Sequence, residues 1–400
     1  MLATTYRRPY RVRAAHVPEP TIEHPDDAIV RVTRACICGS DLHLYHGLVP
    51  DTRVGSIFGH EFTGIVEDVG PNVRNLKVGD HVLVPFNVFC GTCASCSREL
   101  YGNCENVNPE ATAIGGAYGY SHSAGGYNGG QAEYVRVPFA DVGPTVIPPD
   151  IHIEDAVLLT DVVPTGYQAA EMGDIHENDT VVVFGAGPIG LMAARCAWLM
   201  GAGRVIVVDQ YDYRLDFARR FAQAETVNFL EVEDMAVHIK KMTDWQGADV
   251  CIDAVGCEAD GSIMQTLTGV KMKLQAGAAT ALHWAINSAR RGGNISIVGV
   301  YGPTFNLVPI GSAMNKGLTL RMNQASVKRH LPHLIEHIRA GRLKPRELIT
   351  HRVPLEEVDE AYHRFSAKED GCIKTVLVPP RAGHIDTPTP VAGTASAHLH

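Results

Sequence analysis

The alternation of apolar and polar positions divides the chain into two textures. In the first third, short β-branched runs broken by turn residues predict strands at Ala28–Val32, Thr63–Val69 and His81–Pro85. From about Thr180 the runs become apolar throughout. Val181–Phe184, Val205–Val208, Asp249–Ile252 and Ile295–Val298 have strand length and are separated by segments long enough for helices. Strands that are apolar on both faces and alternate with helices predict βαβ units around a buried parallel sheet. After about Asn323 this pattern stops, and a helix near His330–Ala340 and a strand at Ile373–Val378 are expected. Gly115–Gly130, with its interleaved tyrosines, reads as an ordered loop rather than a linker. Residues 381–400, rich in Pro, Ala, Thr and Gly, read as a flexible tail.

Composition narrows the classes. Four hundred residues exceed one ordinary core and call for two domains, and 45% hydrophobic with 20% charged residues is the balance of a soluble globular protein. A net charge of −9 offers no electrostatic case for nucleic acid, and no basic amphipathic stretch points to a membrane surface. Arg7, Arg8, Arg11 and Arg13 are not followed by a continuous apolar run, so no secretory signal is expected. Val181–Ala194 is the longest apolar stretch, and it is too short and too interrupted to span a bilayer. A cytoplasmic location is the expectation. Four of the ten cysteines fall between Cys90 and Cys104, which in a large chain of this kind points to metal rather than to disulfides.

Gly185-Ala186-Gly187-Pro188-Ile189-Gly190 directly follows the strand Val181–Phe184 and opens a helical segment. In that context Gly185 permits a tight turn, Gly187 lets a pyrophosphate approach, and Gly190 lets helix pack on strand. The free N–H groups of the helix start suit the anion. Asp209 ends the next strand, 19 residues after Gly190. Its carboxylate would accept from ribose hydroxyls and repel a 2′-phosphate, which favours NAD over NADP. Arg214 is either a further ribose contact or a solvated surface arginine.

Cys90, Cys93, Cys96 and Cys104 can close a tetrahedron of thiolates around one zinc ion, leaving no open position, so this site is expected to be structural. A second constellation is dispersed: Cys38-Gly39-Ser40-Asp41-Leu42-His43, Gly59-His60-Glu61, and Asp161 within Leu159–Gly166. Spacing alone does not bring these together, and singly they read as ordinary core or loop residues.

The order of these motifs resembles that of the zinc-dependent medium-chain alcohol dehydrogenases, and the resemblance covers nearly all of residues 20 to 380. It implies a β-rich, GroES-like catalytic domain with a structural zinc lobe (1–162 and 325–380) and a doubly wound Rossmann coenzyme domain (163–324), an α/β protein overall. It implies two zinc ions per chain and NAD, with Cys38, His60 and Asp161 holding the catalytic zinc and leaving one position open. Ser40 falls where the family places a hydroxyl on the substrate oxygen. His43 falls where a proton leaves towards solvent, unless it is only a loop histidine. Asp41 is the expected partner of the far nitrogen of His60. Glu61 either tunes the metal or makes a structural salt bridge. Thr165 falls where the family packs on nicotinamide, and Phe86 is a pocket wall or plain core. Gly39 stands where many relatives carry a basic contact to the coenzyme phosphates, which leaves Lys374 as a candidate for that charge.

Aspartate at position 161, where ordinary alcohol dehydrogenases usually carry cysteine, resembles the glutathione-independent formaldehyde dehydrogenase branch. The long segment Cys257–Gly293 points the same way, the alternative being a neutral surface insertion. The expected activity is hydride transfer between NAD and formaldehyde or a short alcohol. A secondary-alcohol or polyol dehydrogenase is the alternative, and a non-catalytic NAD-binding protein is a third reading that the intact ligand set opposes. A homotetramer, or else a dimer, is expected from edge-to-edge pairing of coenzyme-domain sheets.

Overall fold

The computed structural model describes residues 1–111, 114–256, 279–301 and 307–383. Two principal sheets arise from the two sequence textures. Among the described residues, six parallel strands lie in the order Glu225–Asn228, Arg204–Asp209, Thr180–Phe184, Ala248–Asp253, Ala289–Ile297, Thr319–Met322. Val181 and Val183 pack into one apolar layer with the helices Val162–Met172 and Pro188–Leu199. Val182 and Phe184 pack into the opposite layer with Met235–Met242 and Thr280–Ser288. Coverage on both faces is why this strand is apolar at every position rather than alternating.

The second body is antiparallel apart from one pair. Ala28–Ile37 is its centre, paired with Phe62–Val69 along its length, with Tyr134–Val137 at one end and with Lys374–Val378 at the other. Pairing with Phe62–Val69 and with Lys374–Val378 extends this strand five residues beyond the expected Val32. Lys374–Val378 also pairs in parallel with Ile349–Pro354, so the end of the chain returns to the body made by its beginning. The hairpin of Leu2–Arg8 with Arg11–His16, and the helices Ile153–Leu158 and Val162–Met172, carried no clear periodic signal. The helix foreseen near His330 runs Val327–Arg339. Of the long segment after Gly256, residues 257–278 lie outside the described residues; the remainder is the helix Thr280–Ser288 and the start of the strand Ala289–Ile297. Residues 384–400 of the expected tail also lie outside them. No helix among the described residues is long and apolar enough to cross a membrane.

From Thr180–Phe184 the chain moves outward through two strands, then crosses back to Ala248–Asp253 on the other side. The strand order therefore reverses between these two neighbours, and ligands of such sheets bind at the carboxyl ends of strands at that point. The Gly185 turn sits there with φ of 100°, a conformation that favours glycine. A Cβ on Gly190 would lie 1.9 Å from the Gly185 carbonyl oxygen, whereas one on Gly187 would meet nothing within 4 Å. Helix-on-strand packing thus requires glycine at 190, while the protein itself makes no steric demand at 187. Gly190→Ala is expected to cost about 1–3 kcal/mol, the usual penalty of overpacking, measured as a lower chemical-denaturation midpoint; an unchanged midpoint would mean that the turn relaxes freely.

Candidate metal centre and coenzyme cleft

Three segments far apart in sequence meet at the junction of the two bodies. Cys38 ends the strand Ala28–Ile37 and precedes the helix Gly39–Tyr45, where its N–H donates to Asp41 Oδ2 at 3.0 Å. His60 and Glu61 enter the neighbouring strand Phe62–Val69, and the Glu61 carbonyl accepts from Cys36 N at 3.0 Å. Gly59 turns the chain before them with φ of 97°. Asp161 immediately precedes the helix Val162–Met172. Donor atoms of Cys38, His60, Glu61 and Asp161 all lie within 4.8 Å of one another, and all four residues are buried. His60 Nε2 is 3.3 Å and Cys38 Sγ 3.5 Å from Asp161 Oδ2.

The chemistry of this donor set fits a divalent cation. Cys38, Glu61, Asp161 and the adjacent Asp41 are four acidic groups in one buried cluster, faced by one lysine and one imidazole. Burial together with the Asp161 and Glu61 charges pushes the Cys38 thiol up to about 11. Burial also raises the Glu61 carboxyl, although the Lys374 ammonium opposes it. Asp161 stays low despite burial because His60 and Thr165 hydrogen-bond its carboxylate. A thiolate and two carboxylates share such a space only when positive charge compensates them. Glu61 Oε2, buried and without a hydrogen-bond partner, is consistent with this.

The other predicted residues take definite places. Ser40 Oγ lies 3.2 Å from Cys38 Sγ. His43 is buried, with Nδ1 3.3 Å from the hydroxyl of Tyr120 in the glycine-rich loop, so it is not a surface histidine. Thr165 donates its hydroxyl to Asp161 Oδ1 at 2.7 Å, which leaves Oδ2 turned towards Cys38 and His60. The Phe86 ring stands edge-on to His60, centroids 6.0 Å apart, and walls that side. Asp209 accepts from Ala186 N at 2.7 Å through Oδ2 and from Gln210 N through Oδ1, tying the glycine turn to the end of its own strand. Arg214 is not a solvated arginine: it is buried, with its guanidinium over the Tyr211 ring and 3.9 Å from Asp209 Oδ2.

Lys374 does not stand where a coenzyme phosphate contact must. Its side chain is fully buried, and Nζ donates to Glu61 Oε1 at 2.6 Å and to the Ile37 carbonyl at 3.1 Å. Antiparallel pairing of Thr375 with Ile37 carries Lys374 beneath the cluster, where Glu61 is the nearest charge. The pair raises the Lys374 pKa against the opposing effect of burial. Two residues without a local sequence signal also join the site: Gln131, which donates to Asp41 Oδ2 at 3.1 Å, and Tyr362, which donates to Gln131 at 2.9 Å.

Away from the cleft, the sulfurs of Cys90, Cys93, Cys96 and Cys104 also lie within 4.8 Å of one another. Cys90 Sγ accepts from Thr92 N at 3.4 Å and from Asn106 Nδ2 at 3.3 Å, Cys104 Sγ from Cys90 N at 3.3 Å. Burial opposes ionisation of Cys90, but hydrogen bonds from the Thr92 N–H and hydroxyl, the Cys93 N–H and the Cys104 thiol outweigh it and bring its pKa to about 6. Burial raises Cys96 and Cys104, so gathering all four as thiolates also requires a cation. The described cysteines form no disulfide.

Comparison with known proteins agrees with this geometry. The alcohol dehydrogenase GroES-like domain matches residues 24–148, and the zinc-binding dehydrogenase domain matches residues 188–270. An uncharacterized zinc-type alcohol dehydrogenase-like protein, AdhB of Bacillus subtilis, is 42% identical over 381 residues, covering 95% of this chain and 100% of the relative. The chain belongs to the zinc-dependent medium-chain alcohol dehydrogenases. Among other members of this family, the glutathione-independent formaldehyde dehydrogenase of Pseudomonas aeruginosa is 33% identical, covering 90% of this chain and 94% of that protein. The solved alcohol dehydrogenase TADH from Thermus sp. ATN1 superposes with a TM-score of 0.80 at 36% identity, covering 95% of this chain and all of that one.

As a member of this alcohol dehydrogenase family, the purified chain is expected to carry close to two zinc ions by elemental analysis. Asp161→Ala is expected to lower this to about one and to abolish most turnover, while coenzyme binding persists. A variant still holding two ions with unchanged turnover would remove Asp161 from the ligand set.

Proposed function

We propose that the chain is an NAD-linked oxidoreductase acting on formaldehyde or a short alcohol, with Cys38, His60 and Asp161 holding a catalytic zinc and Cys90, Cys93, Cys96 and Cys104 a structural one. The observation that carries this reading is the convergence of the first set beside the coenzyme turn. Asp161 begins the helix Val162–Met172, whose Gly166 would place a Cβ only 2.7 Å from Met192. Met192 belongs to the helix opened by the glycine motif, so one close helix contact spaces the donor cluster from the coenzyme turn. A catalytic domain (1–162 and 325–380) and a coenzyme domain (163–324) are part of the same proposal.

A zinc ion held by Cys38, His60 and Asp161 would supply Lewis-acid polarisation of a substrate oxygen, and NAD held at the glycine turn would supply the hydride chemistry. The chain's own groups do the rest. Ser40 stands beside Cys38, where its hydroxyl receives the proton of a bound alcohol. His43, an imidazole suited to proton transfer near neutrality, passes that proton outward, with the Tyr120 hydroxyl next to its Nδ1. Phe86 excludes water on one side. Open space at Gly187 would accommodate the pyrophosphate, and Asp209, whose carboxylate already accepts from the Ala186, Gln210 and Tyr211 N–H groups, would offer its remaining acceptor position to a ribose hydroxyl while its charge disfavours a 2′-phosphate. Arg214, buried with its guanidinium 3.9 Å from Asp209 Oδ2, would meet the same ribose.

Asp161 as third ligand, together with formaldehyde dehydrogenase relatives at 33% identity, supports formaldehyde as substrate. Zinc-loaded protein is expected to form NADH from NAD and formaldehyde without glutathione, faster than with secondary alcohols or polyols and with little activity on NADP. Preference for a secondary alcohol or polyol would keep the metal chemistry and replace the substrate; no NADH with any of them would remove the catalytic reading.

For assembly, the strand Thr319–Met322 is an edge of the parallel sheet, and Leu307, Ile310, Met314 and Met322 near it are exposed. An apolar sheet edge is a template for pairing with a second copy. A homotetramer, or a dimer, is expected in light scattering, and a monomer at all concentrations would overturn it.

A further inference from the structure

Behind His60 runs a buried polar chain that ends in the C-terminal helix Val358–Ala367. Asp41 Oδ1 lies 3.3 Å from His60 Nδ1. Asp41 Oδ2 accepts from Cys38 N at 3.0 Å and from Gln131 Nε2 at 3.1 Å. The second N–H of Gln131 goes to the Cys36 carbonyl at 2.9 Å, and its Oε1 accepts from the Tyr362 hydroxyl at 2.9 Å. Asp41, Gln131 and Tyr362 are at or near zero exposure.

The chemistry fixes the direction of every bond. A backbone carbonyl and a carboxylate only accept, so the Gln131 amide must turn its NH₂ towards both and its oxygen towards Tyr362. The Tyr362 hydroxyl proton is thereby committed to Gln131, and flipping the amide would set oxygen against two acceptors. Asp41 Oδ2 is held by two N–H donors, which leaves Oδ1 to face the imidazole. An imidazole that keeps its proton on Nδ1 for that oxygen presents a bare Nε2 to a metal.

We propose that Gln131 and Tyr362 are positioning residues that lock the Asp41 carboxylate, and through it the tautomer and orientation of His60, and so govern retention of the catalytic-site metal. The inference rests on the assignment of Cys38, His60 and Asp161 as ligands of that metal. Tyr362 comes from the C-terminal helix Val358–Ala367. The chain therefore also clasps the C-terminal segment of the protein to the metal centre built by its N-terminal strands. Gln131 has a second duty in packing, because a Cβ on Gly59 would lie 2.3 Å from its Cγ. This places the amide directly behind the turn that presents His60.

The test is chelator-driven release of metal from the full-length zinc protein, with the catalytic phase identified as the one missing in Asp161→Ala. Gln131→Met, which keeps length and packing but removes both donors, is expected to release that metal about tenfold faster, the lower end of what outer partners of metal ligands contribute. Tyr362→Phe, which removes one hydroxyl, is expected to shift release in the same direction by a smaller factor. Release from the four-cysteine lobe serves as the internal control and is expected to stay unchanged, as a general loosening of the fold would not leave it. In the cobalt-substituted protein, Gln131→Met is expected to alter the visible bands of the catalytic site. If either variant folds with its lobe metal intact, wild-type release of the catalytic metal and an unaltered cobalt spectrum would overturn the inference while leaving the ligand assignment standing. If Asp161→Ala loses no phase at all, the ligand assignment falls and the inference falls with it.

Discussion

Repulsion among buried acidic groups is the constraint on which the centre of this protein depends. Cys38, Asp41, Glu61 and Asp161 are withdrawn from water into one cluster, and among the described residues the basic groups paired with them are Lys374 and His60. Left alone, such a set would neutralise itself by binding protons or would open to solvent. The fold instead holds it with directed bonds: Thr165 on Asp161, the Cys38 amide and Gln131 on Asp41, and Lys374 on Glu61. Each carboxylate thus has one oxygen committed to the protein while Cys38 Sγ, His60 Nε2 and Asp161 Oδ2 face each other. That is the arrangement a zinc-dependent alcohol dehydrogenase needs before any metal is considered.

The two bodies divide the work according to their sheets. The antiparallel body brings Cys36 and Glu61 to adjacent strands, so Cys38 and His60 are neighbours by backbone register rather than by loop chance. The parallel body reverses its strand order at Thr180–Phe184 and Ala248–Asp253, which creates the crevice at the glycine turn. The helix Val162–Met172 joins them. It carries Asp161 at its start, packs Gly166 on Met192, and through Gln168 accepts from Ser326 N at 2.9 Å where the chain leaves the parallel sheet. The same element therefore spaces the donor cluster from the glycine turn and anchors the returning segment.

Lys374 shows how burial assigns a charge to a partner that the sequence does not indicate. A lysine near the end of the chain was a reasonable source of charge for a pyrophosphate. Buried where it is, its ammonium is more strongly claimed by a carboxylate 2.6 Å away, itself buried, than by any ligand in the cleft. Glu61 in turn is the residue whose buried charge this lysine compensates, which answers whether it makes a structural salt bridge. It does, with its second oxygen still turned into the donor cluster.

What the sequence determined by itself lay at short range. Strand periodicity, the glycine turn after Val181–Phe184, the acid ending Arg204–Asp209 and the four-cysteine lobe depend on neighbours within about twenty residues, and local spacing carries them. The convergence of Cys38, His60 and Asp161 was legible only through resemblance to a family, because no local spacing relates positions 123 residues apart. Gln131 and Tyr362 were illegible, since a glutamine and a tyrosine 231 residues apart become one hydrogen-bonded unit only when a C-terminal helix packs against the N-terminal body. The fate of Lys374 was decided in the same way, by the register between Thr375 and Ile37. Tertiary structure alone settles such contacts because their energies arise from burial and directed hydrogen bonds, which exist only once distant segments have excluded water together.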